Sequence, residues 1–308
     1  MLAAVSVDLD EVDCYAALHG LPPPAPECAH AVYERAIPRF ERLFDAEGLR
    51  ATFFAIGRDL NHPPAARALA RLVEAGHEPA NHSATHPYDL TRLPREAMAR
   101  EVREGVRAIE TATGRAPGGF RAPGYTVSDA LFEVLRAEGV VWDSSVFPCP
   151  VYQAAKLAAM TAMRARGRRT AAVPPEPRML LAPADPYRVG ARFWQRGDGL
   201  LELPIGVTRD ATGRLPYIGT FVVLGGERGA RRLTSLVVGR PFVNLELHGM
   251  DLLDADEDGL RWLAPYQPDL RRRAADKELA LRAAFGMLRE AGYRFVTLSE
   301  AARAFGAL

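Results

Sequence analysis

Short apolar runs alternate with amphipathic stretches through the first half of the chain. Five short runs are predicted as strands, at 2–7, 50–56, 77–82, 119–123 and 140–143, of which 2–7 is apolar and 50–56 is rich in β-forming residues. Four stretches with helical periodicity cover 29–47, 63–75, 94–114 and 128–138, and each ends at or beside a glycine. Short apolar segments predict buried strands, and glycine is the usual residue at a helix C-terminus. Strands and helices that alternate through short connections predict a parallel sheet or barrel.

The second half of the chain is less regular. Its predicted elements are a helix at 153–166, strands at 200–204, near 220–224 and at 242–247, a helix at 273–291, a strand at 293–298, and a terminal helix capped by Ser299. A proline-rich stretch without clear alternation precedes the strand at 200–204. We therefore predict an α/β fold: a distorted (β/α) barrel forming a single domain over 1–308, with 148–200 inserted as a basic cap.

Polar residues suited to chemistry lie at or just after the ends of the predicted strands. They are Asp8, Asp10, His82, His86, Arg121, Asp143 and His248. The C-terminal ends of the strands of a parallel barrel meet at one face, so these side chains are expected to converge. Each alone has a structural explanation: a turn cap or ion pair for the acids and the arginine, a satisfied core residue for His248. The remaining histidines, His19, His30, His62 and His77, are assigned no chemical role.

A metal site is predicted from two of these segments. His82 and His86 are four residues apart, so their imidazoles can face one point if the backbone between them makes one helix-like turn. With Asp10 they form a two-imidazole, one-carboxylate set, which is typical of catalytic metal sites with open positions. We expect zinc, with cobalt, nickel, iron or manganese as alternatives. Asp8 lies on the same strand face as Asp10 and can act as a general base.

Five motifs in order along 8–248 resemble those of the NodB-homology polysaccharide deacetylases, carbohydrate esterase family four. They are Asp8-Leu-Asp10, His82-Ser-Ala-Thr-His86, Arg121-Ala-Pro-Gly-Tyr125, Asp143 and Leu245-Glu-Leu-His248. The run at 292–298 is also similar to the last strand of that family. The family's usual first motif has adjacent aspartates, whereas a subgroup with intracellular or atypical substrates shares the Asp-x-Asp form.

The resemblance implies a metal held by Asp10, His82 and His86. It also implies that Asp8 is the base, paired with Arg121. The positive charge of Arg121 is expected to keep Asp8 ionised unless burial raises the pKa of that carboxyl.

Three further roles follow from the same resemblance. The backbone amide of Tyr125 would donate to the developing oxyanion. His248 would give its proton to the leaving nitrogen, since a histidine titrates near neutrality. Asp143 would orient His248 through a hydrogen bond.

The implied activity is metal-dependent hydrolysis of an amide C–N bond, with an N-acetylated amino sugar or its glycoconjugate as the expected substrate. One alternative is a deformylase or amidase that acts on a lipid-phosphate-linked amino sugar or a small cyclic amide. Another is a sugar-binding protein without turnover. A binder has no need for a proton donor such as His248, so the full set of groups argues against it.

Charge is nearly balanced overall but not locally. The formal net charge is +1, so no global field attracts nucleic acid. Residues 148–200 nevertheless hold nine lysines and arginines against three acids. The helix at 153–166 places Leu157, Met160 and Met163 roughly along one face. This pattern predicts either a cap over the active site or peripheral contact with an anionic membrane through 153–169.

Cysteines and apolar runs bear on the compartment. Cys14, Cys28 and Cys149 cannot all pair, which favours free thiols in a reducing environment. No apolar run approaches the roughly 18 residues that a spanning helix needs, and 1–7 is too short for a signal peptide. We expect a cytoplasmic protein, either free in the cytoplasm or at the inner face of the membrane.

Overall fold

One curled sheet holds the nine strands found in the computed structural model, which describes residues 1–306. The strands are β1 (Leu2–Asp8), β2 (Thr52–Ala55), β3 (Glu78–Asn81), β4 (Gly119–Phe120), β5 (Trp142–Asp143), β6 (Tyr187–Val189), β7 (Arg196–Glu202), β8 (Phe242–His248) and β9 (Arg294–Phe295). Their order is β6-β7-β5-β4-β3-β2-β1-β8, and β9 pairs with the start of β1. All neighbours are parallel except β6 and β7. The predicted barrel-like α/β fold is confirmed.

The barrel is distorted at the seam where β8 approaches the far side of the sheet. Within the described residues β8 does not pair directly with β7. The connection after β7 joins them instead: the amide of Gly206 donates to the carbonyl of Asn244 (2.8 Å), and Ile218 bridges Glu246. The side-chain amide of Asn244 also donates to the hydroxyl of Ser144 (3.0 Å), which follows β5. The irregular segment after β7 therefore closes the barrel at this seam.

Ten α-helices accompany the sheet in the described part of the chain. They are α1 (Val12–Leu18), α2 (Ile37–Ala46), α3 (Pro63–Glu74), α4 (Arg95–Thr113), α5 (Asp129–Ala137), α6 (Pro150–Ala165), α7 (Gly219–Leu224), α8 (Gly226–Ser235), α9 (Ala274–Glu290) and α10 (Leu298–Ala304). The predicted helices at 63–75, 94–114, 128–138, 153–166 and 273–291 correspond to α3, α4, α5, α6 and α9, with boundary shifts of a few residues.

The predicted helix at 29–47 is not one continuous α-helix. A π-helical turn covers Val32–Ala36 and runs into α2. Pro38 lies in the first turn of α2 and has no N–H to donate to the preceding turn. The buried carboxylate of Glu11 accepts the amides of Val32 (3.2 Å) and Tyr33 (3.1 Å), so the irregular turn is held from outside the helix.

Other differences follow from packing. The predicted strand near 220–224 is helix α7, although its residues are β-forming, because strand propensity yields to tertiary context. Helices α1 and α8 and strand β6 were not predicted. The terminal helix α10 is capped by Thr297 in a capping box with Glu300. Ser299, the predicted cap, instead accepts a hydrogen bond from the indole of Trp142 (3.0 Å).

His77 packs in an aromatic cluster between the sheet and α2, which accounts for its place in the sequence. His77 lies against Phe44 and Phe53, with ring centroids 5.8 and 5.3 Å away. Its Nδ1 accepts the amide of Ala51 (3.1 Å), so this nitrogen carries no proton. Burial, and then the nearby charge of Arg50, lower the pKa of His77 to about 4. His77 is a neutral structural residue.

The segment 148–200 consists of two different parts. Its first part is α6, none of whose side chains is buried. Its second part contains the buried Met179 and Phe193 and ends in β6 and β7, which extend the sheet. Within residues 1–306, no helix is both long and apolar enough to cross a membrane.

Candidate metal centre and its surroundings

The end of β1 and the loop after β3 bring a carboxylate and two imidazoles together. The Nε2 atom of His82 lies 3.2 Å from Oδ1 of Asp10, and the Nε2 atom of His86 lies 3.3 Å from Oδ2. All three side chains are buried. The predicted ligand set is therefore assembled around one point.

The turn between the histidines is not the helix-like turn expected. Ser83 and His86 both have positive φ, 68° and 59°. The hydroxyl of Ser83 accepts the amide of His86 (3.0 Å) and offsets the cost of these unusual conformations. Gly105 lets α4 pass close to the start of the turn, since a Cβ there would lie 2.2 Å from Oδ1 of Asn81. The turn is thus shaped by local hydrogen bonds and by α4.

The donor set fits a divalent cation. Nδ1 of His82 lies 2.7 Å from the carbonyl oxygen of Arg121, so it carries the proton and donates it there. In the neutral ring, Nε2 then presents a lone pair to Oδ1 of Asp10, and only a second proton or a cation between them removes the repulsion. Oδ1 of Asp10 and both ring nitrogens of His86 are buried without a hydrogen-bond partner among the described residues. Two imidazoles and a carboxylate are suitable ligands for zinc and related metals.

Charges within the set shift its pKa values in opposite directions. Burial raises the pKa of Asp10, but the two imidazoles outweigh it and hold the value well below its usual range. Burial lowers the pKa of His82, but the charges of Asp8 and Asp10 and the hydrogen bonds outweigh it and raise the net value. The pocket therefore favours positive charge beside Asp10.

Asp8 and Arg121 form a buried ion pair beside the metal centre, as predicted. Nη1 of Arg121 donates to Oδ1 of Asp8 (2.6 Å), and the guanidinium also donates to the hydroxyls of Ser6 (3.0 Å) and Ser144 (2.8 Å). It stacks 4.0 Å from the ring centroid of Phe54. Burial raises the pKa of Asp8 despite the lowering effect of Arg121. Burial thus prevails, the outcome that the sequence left open.

His248 lies at the end of β8, in register with Asp8 on β1. Its Nδ1 is 2.9 Å from Oε1 of Glu246, and that oxygen also accepts the hydroxyl of Tyr125 (3.0 Å). Burial lowers the pKa of His248, but the charge and hydrogen bond of Glu246 outweigh it and raise the net value well above the usual range. Asp8, Glu246 and His248 form a second cluster, with one atom from each within 4.8 Å of the others.

The prediction that Asp143 orients His248 is wrong. Asp143 accepts the amide (3.0 Å) and the hydroxyl (2.9 Å) of Ser145, and the same hydroxyl accepts the amide of Ala122 (2.8 Å). Asp143 thus faces the loop after β4, and within the described residues no hydrogen bond joins it to His248. Its partner in the sheet register is Glu202. Asp143 therefore supports the segment that carries Arg121.

Glu246 takes the orienting role, and sequence reasoning assigned it none. The signal was present in the strand pattern, because residues two apart on a strand share a face. Glu246 precedes His248 by two positions and is fully buried in strand β8. A buried acid at such a position requires a partner nearby.

Tyr125 contacts the site in a different way from that expected. Its φ is +56°, in a turn after β4. Its amide donates to the carbonyl of Ala122 (3.1 Å), so donation to an oxyanion would have to be shared with this acceptor. Its hydroxyl lies 3.4 Å from Nε2 of His248 in addition to its bond with Glu246.

A cavity of 360 Å³ opens above these groups. Its lining residues are Asp8, Asp10, Tyr15, Leu18, His19, His82, Tyr88, Gly124, Tyr125, Tyr152, Ala155, Lys156, Ala159, Met160, Met163, Thr170, Ala172, Ile218, Thr220, Phe221, His248 and Gln267. Sequence reasoning set His19 aside, yet it lines this cavity with its Nε2 3.2 Å from Oε1 of Gln267. His30 and His62 stack on each other with centroids 3.9 Å apart and are not in the lining.

Comparison with known proteins agrees with this arrangement. Residues 30–141 match the polysaccharide deacetylase family model. A peptidoglycan deacetylase of Helicobacter pylori is 29% identical over 150 residues, which cover 47% of this chain and 50% of that protein. A chitooligosaccharide deacetylase of a Bradyrhizobium species is 42% identical over 89 residues, covering 28% of this chain and 39% of that protein. The matches thus span half or less of these relatives.

The fold is similar over nearly the whole chain to a crystal structure from Mycobacterium smegmatis that bears the name of a polysaccharide deacetylase. The TM-score is 0.57 at 20% identity, over 98% of this chain and 89% of the other. That likeness concerns the fold alone. Residues 30–141 therefore resemble the polysaccharide deacetylase family in sequence, and nearly the whole chain shares the fold of a structure that bears its name.

Proposed function

We propose that this protein hydrolyses the amide bond of an N-acylated amino sugar or of a glycoconjugate that contains one, with a divalent metal as cofactor. The observation that carries the proposal is the single buried site in which Asp10, His82 and His86 converge beside Asp8 and His248. The relatives named for deacetylation of peptidoglycan and chitooligosaccharides support an acetylated sugar as the substrate class.

Asp10, His82 and His86 would hold the metal. A bound divalent metal supplies a Lewis acid that polarises the amide carbonyl and makes water more acidic. The protein fixes the ligands in advance: Nδ1 of His82 donates to a backbone carbonyl, which directs Nε2 toward Asp10. The sequence motif and the donor set favour zinc without excluding cobalt, nickel, iron or manganese.

Asp8 is the proposed general base. It accepts a proton from the attacking water while the hydroxyl oxygen of that water forms a bond to the carbonyl carbon. Arg121 holds Oδ1 of Asp8 through a 2.6 Å hydrogen bond, which leaves Oδ2 as the proton acceptor. The raised pKa of Asp8 makes it a stronger base than an ordinary aspartate.

His248 is the proposed general acid. Its Nδ1 is engaged with Glu246, so Nε2 is the nitrogen that can donate toward the leaving group. The C–N bond breaks as this proton reaches the nitrogen, and the products are a carboxylic acid and a free amine. Glu246 keeps His248 protonated and oriented and does not touch the reacting atoms.

The proposal is tested by measuring acid and amine release from a panel of N-acetyl and N-formyl amino sugars, with added zinc, cobalt or manganese and after chelation. Metal-dependent release of acetate supports the deacetylase. Release of formate alone identifies the deformylase, and binding without release across the panel identifies the sugar-binding protein.

The Glu246→Gln substitution is expected to shift the pH dependence of kcat. Catalysis needs protonated His248, so kcat falls as pH rises through the pKa of His248. Removal of the adjacent negative charge is expected to move this alkaline limb about one to three pH units lower, because burial then dominates. Part of the upward shift in the pKa of His248 remains in the variant, because Asp8, Asp10 and Asp251 also face this histidine.

The measurement is kcat between pH 5 and 10 at saturating metal and substrate. Glu202→Gln is the matched control, because it makes the same chemical change to a buried carboxyl on β7. The control is expected to leave the alkaline limb in place. If the alkaline limb of the kcat profile is unchanged in Glu246→Gln, His248 is not the general acid.

A further inference from the structure

Helix α6 lies over the cavity and packs against the protein core near its N-terminus, through Tyr152, whose ring centroid is 4.9 Å from that of Phe147. Six of its residues line the cavity at the spacing of one helical face: Tyr152, Ala155, Lys156, Ala159, Met160 and Met163. None of the helix's sixteen side chains is buried. Helices in proteins are stabilised mainly by burial of one apolar face, and this face meets the cavity instead. Leu157, predicted on the same face, points elsewhere and is 52% exposed.

The lining that α6 does not supply, termed the opposite wall, contains a second set of apolar residues. They are Leu18, Ala172, Ile218 and Phe221, from α1, the loop after α6, and the region of α7. Phe221 is 43% exposed, although a phenylalanine normally lies inside a protein. Apolar side chains therefore line the cavity both on α6 and on the opposite wall.

Three polar side chains of the lining already make hydrogen bonds within the protein. The hydroxyl of Thr170 donates to the carbonyl of Leu18 (2.6 Å), and Nζ of Lys156 donates to that of Gly124 (3.1 Å). His19 is paired with Gln267. These bonds use part of the capacity of the lining to bind the hydroxyls of a further sugar ring. At the base, by contrast, the hydroxyl of Tyr15 is buried without a partner among residues 1–306.

We propose that the substrate is amphiphilic. Its acylated amino group enters the base of the cavity, and a hydrocarbon chain of the same molecule lies between α6 and the opposite wall. The chain supplies the apolar surface that α6 lacks, and Met160 and Met163 determine specificity for it. Methionine suits this task because its flexible side chain adapts to an irregular apolar partner. The proposal rests on the proposed amide hydrolysis and narrows its substrate class.

The test compares binding of methyl and octyl glycosides of N-acetylglucosamine to the metal-free protein, by titration calorimetry below the micelle concentration. Each buried methylene tightens binding about fourfold, so burial of only three gives about a fiftyfold lower Kd for the octyl compound. N-octanoylglucosamine, measured in parallel, shows whether the chain is on the acyl side or on the sugar side of the amide. A negative heat-capacity change is expected with the chain that binds.

The Met160→Gln/Met163→Gln double variant is expected to lose most of this gain, measured as the ratio of the Kd values for the methyl and octyl glycosides. Leu157→Gln, on the exposed side of the same helix, is the matched control and is expected to keep the gain. None of these residues is buried, so the variants are expected to fold.

Equal affinity for the methyl compound and both octyl compounds would overturn the proposal. So would a chain effect that Leu157→Gln removes and the methionine variant keeps, or tighter binding of chitooligosaccharides than of either octyl compound. Acetate release is measured separately on the metal-loaded protein. If acetate is released but the chain does not change binding, the proposed deacetylase activity stands and the amphiphilic substrate is rejected. If the chain strengthens binding but no probe is hydrolysed, the proposed deacetylase activity is rejected.

Discussion

Replacing Asp10 with asparagine is expected to reduce amide hydrolysis about a thousandfold or more, because the several kcal/mol that a metal contributes to the reaction are lost. Asp10 supplies the negative charge of the ligand set, and both His82 and His86 face it within 3.3 Å. Asparagine keeps the size of the side chain but cannot balance a divalent charge. Metal affinity and activity should therefore fall together.

The measurements are the metal content of purified protein, the Kd for zinc, and kcat/KM with the best substrate of the panel. Zinc at about a thousandfold above Kd is expected to stabilise the native protein by about 4 kcal/mol, seen as a higher Tm, and to do so much less in Asp10→Asn. Asp13→Asn is the control: Asp13 is half-exposed and pairs with Arg58. Full activity of Asp10→Asn without metal would contradict the proposed site.

Arg121→Met is expected to have the largest effect on stability, a loss of about 3–5 kcal/mol in the free energy of unfolding. Arg121 is fully buried and holds Asp8, Ser6 and Ser144 at once. Methionine fills part of the space and leaves the carboxylate of Asp8 without its counter-charge. Arg121→Lys keeps the charge but not the planar set of donors. Its loss in the free energy of unfolding is therefore expected to be smaller than that of Arg121→Met but still measurable.

The loss should depend on pH in a defined direction. The pKa of Asp8 is already raised in the folded protein, and without Arg121 it rises further. A raised carboxyl pKa costs stability as pH rises above the value in the unfolded chain, so the deficit of the variant is larger at pH 8 than at pH 5.

Urea unfolding of both variants at these two pH values measures the deficit. Arg261→Met is the control, since Arg261 pairs with Asp256 at the surface, where such pairs contribute about 0–1 kcal/mol. A deficit in Arg121→Met no larger than in this control would show that Asp8 needs no partner.

Much of the site could be predicted because strand ends are visible in the sequence. Asp10, His82 and Arg121 each lie at or just after the end of a predicted strand, and parallel strands carry such residues to one edge. The metal ligands and the Asp8–Arg121 pair are found together for this reason. Their chemical roles, the substrate's chain and the cytoplasmic location stay predictions.

The partner of His248 could not be predicted with the same rule. Asp143 also follows a strand, but which strand ends are neighbours depends on the order of strands in the sheet. Asp143 is held by Ser145 in the loop that follows its own strand, while Glu246 lies on the same strand as His248. Similarly, the β-forming residues of α7 indicated a strand, because the packing that makes them helical is set by distant segments.

Strand β1 is both a central strand of the sheet and the carrier of site residues, which has a consequence for the dynamics of the site. This strand carries Asp8 at its end, with Asp10 two residues later, and it pairs with β2, β8 and β9. The amides of β1 are hydrogen-bonded along both of its edges in the interior of the sheet, so their exchange with solvent is expected to be among the slowest in the protein. Asp8, the proposed base, ends this strand and the candidate ligand Asp10 follows it closely, whereas α6 above them buries none of its side chains.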